Sequence, residues 1–122
     1  MNWKAKEFWV DGGCHNNGKD NPRAYGSVSD GTKILRREWP HLRTNNEAEY
    51  QTLLQCLIYL QSGGAAIIYT DSGLVIGQLT KGWKVKAVGL VGLVGGCKQE
   101  LARTGATLYW VHRDVMVERL GH

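Results

Sequence analysis

Cysteine is scarce and poorly placed for structural chemistry. The three cysteines, Cys14, Cys56 and Cys97, are odd in number and far apart, with no Cys-x-x-Cys pair. That argues against a zinc knuckle and against a disulfide framework. Three reduced thiols are expected, with Cys56 and Cys97 in helix cores. Long apolar runs are missing as well, since none approaches the ~18 residues of a membrane span. No basic-then-apolar signal pattern opens the chain, because Lys4, Lys6 and Glu7 interrupt it. A cytoplasmic protein with no membrane partner is the expectation. No internal repeat or linker is visible, and the 16 glycines are scattered rather than periodic, which excludes collagen-like and low-complexity chains.

The chain does hold enough for one core. Its 122 residues, 43% hydrophobic and 21% charged, suit a single domain over residues 1–122 and are too few for two. The formal net charge of +4 favours polyanionic partners, although charge alone fixes neither fold nor ligand.

Patterning gives the elements. Glu7 to Cys14 reads as a central strand, with Phe8-Trp9-Val10 apolar toward both faces. Residues 15–23 are loop-like. Ala24 to Ser29 and Lys33 to Trp39 form two further strands joined through Asp30-Gly31, a favoured hairpin pair. Thr44 and Glu47 have the spacing of a capping box. The helix they open is expected to stop at Gly63-Gly64. Ala65 to Thr70 is a short strand parallel to the first, reached through that helix as a crossover. A short helix over Ser72 to Leu79 follows, then a glycine-bearing helix over Val88 to Arg103. Its Gly89, Gly92, Gly95 and Gly96 are assigned to close packing, each costing up to ~1 kcal/mol against alanine. Thr107 to Val111 is the last strand, and a final helix begins near Asp114 as its cap. The fold class is α/β: one mixed five-stranded sheet, three antiparallel meander strands plus two parallel ones, flanked by helices.

Three acidic residues sit where a metal site needs them. Asp11 and Asp71 close apolar strands, and Glu49 lies early on an apolar-faced helix. Singly, Asp11 reads as a strand-end turn residue and Asp71 as a helix cap. Together they are carboxylates on rigid elements, and packing like charges raises each pKa unless cations neutralise them. Such a site suits hard, oxygen-seeking ions, Mg²⁺ or Mn²⁺. A pair of these ions roughly 3.5–4 Å apart can activate water and stabilise the leaving oxygen in phosphodiester hydrolysis.

With Asp11-Gly12, Thr44-Asn45-Asn46-Glu47-Ala48-Glu49 and Thr70-Asp71-Ser72 in this order, the sequence resembles the type 1 ribonuclease H family across nearly its whole length. The resemblance implies the family's fold and an endonuclease that cuts the RNA strand of RNA–DNA hybrids with two Mg²⁺ (or Mn²⁺) ions. It implies Asp11, Glu49 and Asp71 as catalytic metal ligands, and Glu47 as structural. Glu118 is a fourth ligand in a pattern where Asp114, Val117 and Glu118 replace Asn, Ala and Asp; its alternative is a solvated helical glutamate. His112 is the candidate for the family's auxiliary histidine, the alternatives being the terminal His122 or no such histidine. Substrate contacts would come from Gly12, Gly13, Cys14, Asn16 or Asn17, and from Asn45, Gln78 and Arg113, with a helix-entry turn residue the alternative for Asn45 and a structural contact that for Arg113. Trp83 and Lys84 would meet the DNA strand, their alternative being a solvated turn. A monomer is expected. The rival functions are a DNA-junction nuclease on the same fold and a non-catalytic nucleic-acid-binding module.

Overall fold

The structure, a computed structural model, describes residues 1–121. In chain order it contains β1 (Glu7–His15), β2 (Arg23–Ser29), β3 (Ile34–Trp39), α1 (Asn45–Tyr59), β4 (Ile67–Thr70), α2 (Gly73–Thr80), α3 (Val88–Thr104), β5 (Thr107–Trp110) and α4 (Arg113–Leu120). The strands make one mixed sheet in the order β3-β2-β1-β4-β5. β1, β2 and β3 form the antiparallel meander, while β4 runs parallel to β1 and β5 parallel to β4. Asp30 builds the β2–β3 turn by accepting from the Thr32 and Lys33 amides at 2.9 and 2.7 Å.

Alternation along β1 sends its side chains to two layers. Phe8 and Val10 join Ile68 of β4 beneath α1 and α3, packed with Leu53, Leu57, Val94 and Cys97. Trp9 points the other way, with Tyr69, onto Met116 and Leu120 of α4.

The start of α1 is fixed by the expected capping box. Thr44 Oγ1 accepts from the Glu47 amide at 3.2 Å, and Glu47 Oε1 accepts from the Thr44 amide at 3.0 Å. Glu47 is therefore occupied at the helix entry. α1 ends earlier than expected, at Tyr59, because Leu60 turns to extended backbone and buries its side chain in the core. Gly63-Gly64 belongs to the following turn, where the Gly63 amide donates to the Arg103 carbonyl.

Two glycines let α1 settle onto the sheet. Gly12 and Gly26 are opposite each other across β1 and β2. A Cβ on Gly12 would stand 2.5 Å from the Ala48 carbonyl carbon, and one on Gly26 would fall inside the Thr52 side chain. Thr52 in turn donates to the Ala48 carbonyl and accepts from the Trp39 indole. In α3 close packing accounts for Gly89, against Glu47, and Gly96, against Leu54, but Gly92 and Gly95 face open space. The cap of α4 is His112 rather than Asp114: its Nδ1 accepts from the Asp114 amide at 3.2 Å. Cys56 and Cys97 are buried and Cys14 half-buried, all three as free thiols. Among the described residues no helix is long and apolar enough to cross a membrane.

Candidate functional site

The parallel pairing of β1 and β4 puts the carboxyl ends of both strands at the same edge of the sheet. Open α/β sheets place their ligands at such an edge. Asp11 lies on β1 just beyond its pairing with β4, and Asp71 directly follows β4. Glu49 enters from above on the second turn of α1, whose approach is set by the Gly12–Gly26 seat. One carboxylate oxygen from each of Asp11, Glu49 and Asp71 lies within 4.8 Å of the others.

Electrostatic stress marks this cluster. Burial, then the neighbouring charges of Asp11 and Asp71, push the Glu49 carboxyl well above its ordinary value, eased by the nearby Gly12 amide. Asp11 is also raised, first by burial and then by Asp71, with the Arg113 guanidinium pulling it back. Three hard oxygen donors, held in the middle of β1, just past the end of β4 and on a capped helix, form a set that suits a divalent ion of the Mg²⁺ type. The residues present therefore fit the metal that the sequence pattern implies.

A cation of the chain itself reaches the same oxygens. Arg113 Nη1 donates to Asp11 Oδ2 at 2.8 Å and to Asp71 Oδ2 at 3.1 Å. The backbone under Asp71 is steadied by Trp110, whose indole N–H donates to the Asp71 carbonyl at 3.1 Å. Sequence reasoning missed that contact. The available signal was an indole ending the strand beside Thr70-Asp71, since indole N–H groups seek an acceptor.

Glu118 does not join the cluster. Met116 and Leu120 are buried against Trp9, and this fixes the rotation of α4 about its axis. Arg113, three residues before Met116, shares their face, whereas Glu118 is offset by about 200° from Met116 and is exposed. Glu118 is not among the carboxylates that lie within 4.8 Å of one another, and the charged side chain that touches two of them is Arg113. His112 is exposed and serves as the α4 cap. His122 lies outside the described residues.

The expected substrate contacts are placed in different ways. Asn17 and Asn45 clasp the loop after β1 to the start of α1: Asn45 donates its amide to Asn17 Oδ1, and Cys14 donates its amide to Asn45 Oδ1, both at 2.7 Å. Asn16 instead knits the loop internally, donating from Nδ2 to the Asn21 carbonyl at 3.2 Å. Gln78 is a buried strut and not a surface contact. Its Nε2 donates to the Lys84 carbonyl at 3.1 Å, and its Oε1 accepts from the Tyr50 hydroxyl at 2.7 Å. Trp83 keeps half its surface exposed while its ring covers Gly77, and the Lys84 side chain beside it is exposed. Gly13 lies against the Tyr25 ring.

The RNase H family model matches residues 3–112. The chain belongs to the ribonuclease H family. Ribonuclease HI of Synechocystis sp. is 31% identical over 82 residues, 65% of this chain and 50% of that protein. The chain thus spans about half the length of the curated relative it matches. Among solved structures, the N-terminal RNase H domain of a Mycobacterium tuberculosis protein superposes with a TM-score of 0.69 at 27% identity, covering 93% of this chain and 95% of that one. LC11-RNase H1, solved in complex with an RNA/DNA hybrid, gives a TM-score of 0.77 at 20% identity over 93% of this chain and 89% of the other. At that identity the second likeness speaks to the fold alone, and the five-stranded mixed sheet is the ribonuclease H fold.

Proposed function

We propose that this chain is a metal-dependent ribonuclease H that hydrolyses the RNA strand of RNA–DNA hybrids. The observation carrying the proposal is the convergence of Asp11, Glu49 and Asp71 at the carboxyl edge of the sheet. Family membership supports the nuclease chemistry. The solved complex of LC11-RNase H1 with a hybrid supports the substrate class by analogy of fold. Asp11, Glu49 and Asp71 would hold Mg²⁺ or Mn²⁺, two ions in the presence of substrate. Ions bound there would polarise the scissile phosphate, lower the pKa of a coordinated water and neutralise the leaving oxygen.

The chain's own contribution is positioning. The middle of β1, the end of β4 and a capped helix keep the three carboxylates aimed at one point, so little reorganisation is left for the reaction itself. Asn45 accepts from the Cys14 amide through its Oδ1, so its Nδ2 is the side-chain group with hydrogens to donate. Hydrogen bonding to a 2′-hydroxyl is what separates RNA from DNA, and the clasped segment around Gly12, Gly13, Cys14 and Asn17 is well sited for it. Trp83 and Lys84 offer an exposed indole and a cation at one surface, a combination suited to a sugar–phosphate strand.

A labelled hybrid, a DNA duplex, an RNA duplex and a DNA four-way junction, each with Mg²⁺, Mn²⁺ or EDTA, provide the test. Cutting of the RNA strand of the hybrid, abolished by EDTA, is expected. Junction cutting in place of hybrid cutting would refute the substrate assignment. Hybrid binding without cutting would favour a non-catalytic module, a reading to which the absence of Glu118 from the cluster lends its only support.

A further inference from the structure

We propose that Arg113 is a resident counter-ion of the carboxylate cluster which a divalent ion must displace, so that this one side chain sets the metal affinity of the site. The inference rests on reading Asp11, Glu49 and Asp71 as metal ligands. It concerns a separate question, namely what the metal competes with.

The contacts are specific. A single guanidinium nitrogen, Nη1, bridges Oδ2 of Asp11 and Oδ2 of Asp71, at 2.8 and 3.1 Å. These are two of the three side chains from which an ion would draw its oxygens. A dication bound between the same carboxylates would stand within a few ångströms of the guanidinium, in a partly buried setting where like charges repel more strongly than in water. Both cations cannot use the same oxygens at full strength, so binding one weakens the other.

The backbone beneath Arg113 is fixed, while its side chain has room to leave. At one end the Val111 amide donates to the Thr70 carbonyl at 2.9 Å, and His112 caps the helix. At the other end Arg36 Nη2 donates to the Leu120 carbonyl at 2.6 Å. Met116 and Leu120 anchor the middle on Trp9. The Arg113 side chain itself remains 56% exposed, so it has room to swing toward solvent. The docking of Met116 and Leu120 on Trp9 is what holds α4 with Arg113 over Asp11 and Asp71.

The test measures Mn²⁺ binding to the EDTA-stripped full chain by calorimetry and by the electron spin resonance of free Mn²⁺, without nucleic acid. Wild type is compared with Arg113→Gln and Arg113→Lys. Losing a charge-assisted competitor should tighten Mn²⁺ binding on the order of tenfold in Arg113→Gln, with Arg113→Lys between that variant and wild type. In EDTA, Arg113→Gln should melt below wild type, because its carboxylates repel without their counter-ion, and saturating Mn²⁺ should close the gap. Equal or weaker Mn²⁺ binding by Arg113→Gln, with wild type binding normally, overturns the counter-ion role and leaves the metal site standing. No binding by any of the three overturns both. Should Arg113→Gln not fold, the wild-type side-chain Nε–Hε resonance of Arg113, assigned with the lysine variant, decides. It should shift as Mg²⁺ is titrated, and an unmoved signal at saturation overturns the proposal.

Discussion

Replacing Gly12 by alanine tests whether the site depends on how closely α1 approaches β1. The new Cβ would lie 2.5 Å from the Ala48 carbonyl carbon, 2.6 Å from its oxygen and 2.7 Å from the Glu49 nitrogen. All three are helix backbone atoms, so no side chain can rotate away. Carbon atoms rest at about 3.5 Å or more, which means helix and strand must part by about 1 Å. Overpacking of this kind costs roughly 1–3 kcal/mol, and rigid backbone neighbours place Gly12→Ala in the upper half of that range. For a domain of this length the loss corresponds to roughly 8–12 °C in Tm. The same displacement carries Glu49 away from Asp11, so Mn²⁺ affinity should fall along with stability. Gly13→Ala supplies the control on the same strand, because its Cβ would meet only the tip of the Tyr25 ring, at 2.6 Å from the hydroxyl, and a ring tip can move. Circular-dichroism melts and Mn²⁺ calorimetry on both variants make the comparison. If Gly12→Ala melts with Gly13→Ala and binds Mn²⁺ like wild type, the account of how Glu49 is delivered to the site is wrong.

Asp11→Asn should cut hybrid cleavage on the order of a hundredfold or more, since even groups one step behind a metal ligand cost 10- to 100-fold, while the far-ultraviolet spectrum stays unchanged; near-normal turnover would contradict the assignment. Glu118→Gln should leave Tm within about 0.5 kcal/mol equivalent and Mn²⁺ affinity unaltered, and a clear loss of affinity would mean that Glu118 does reach the ion. Thr44→Ala should cost about 1 kcal/mol through loss of the helix cap, read by chemical denaturation, with no loss there marking the cap as dispensable. The pH dependence follows from Glu49, whose carboxyl is raised by burial and by its acidic neighbours above its ordinary 4.5. Its protonated form favours the fold. That stabilising contribution is complete below pH 4.5 and drains away as pH climbs through the raised folded value. In EDTA the protein should therefore lose stability progressively between pH 4.5 and that raised value, and Mn²⁺ binding in this window should release protons. Calorimetry in two buffers of different ionisation enthalpy checks it, and buffer-independent heats would rule it out.

What the sequence determined by itself is what depends on neighbours along the chain. The Thr44–Glu47 spacing specifies a helix start, Asp30-Gly31 a tight turn, and the apolar runs before Asp11 and Asp71 two strands that carry the acids, although β1 continues past Asp11 to His15. From these come the order of elements, the sheet, and three carboxylates delivered to one edge. The tertiary structure decided whatever depends on how an element is rotated or how deeply it sits. Met116 and Leu120 docking on Trp9 set Arg113 onto Asp11 and Asp71 and left Glu118 outside their cluster. The Tyr50 hydroxyl and the Lys84 carbonyl drew Gln78 into the interior. Neither outcome can be read from spacing, because a helix of eight residues such as α4 carries only two core anchors to set its rotation, and the surface that receives them is assembled from residues a hundred positions away.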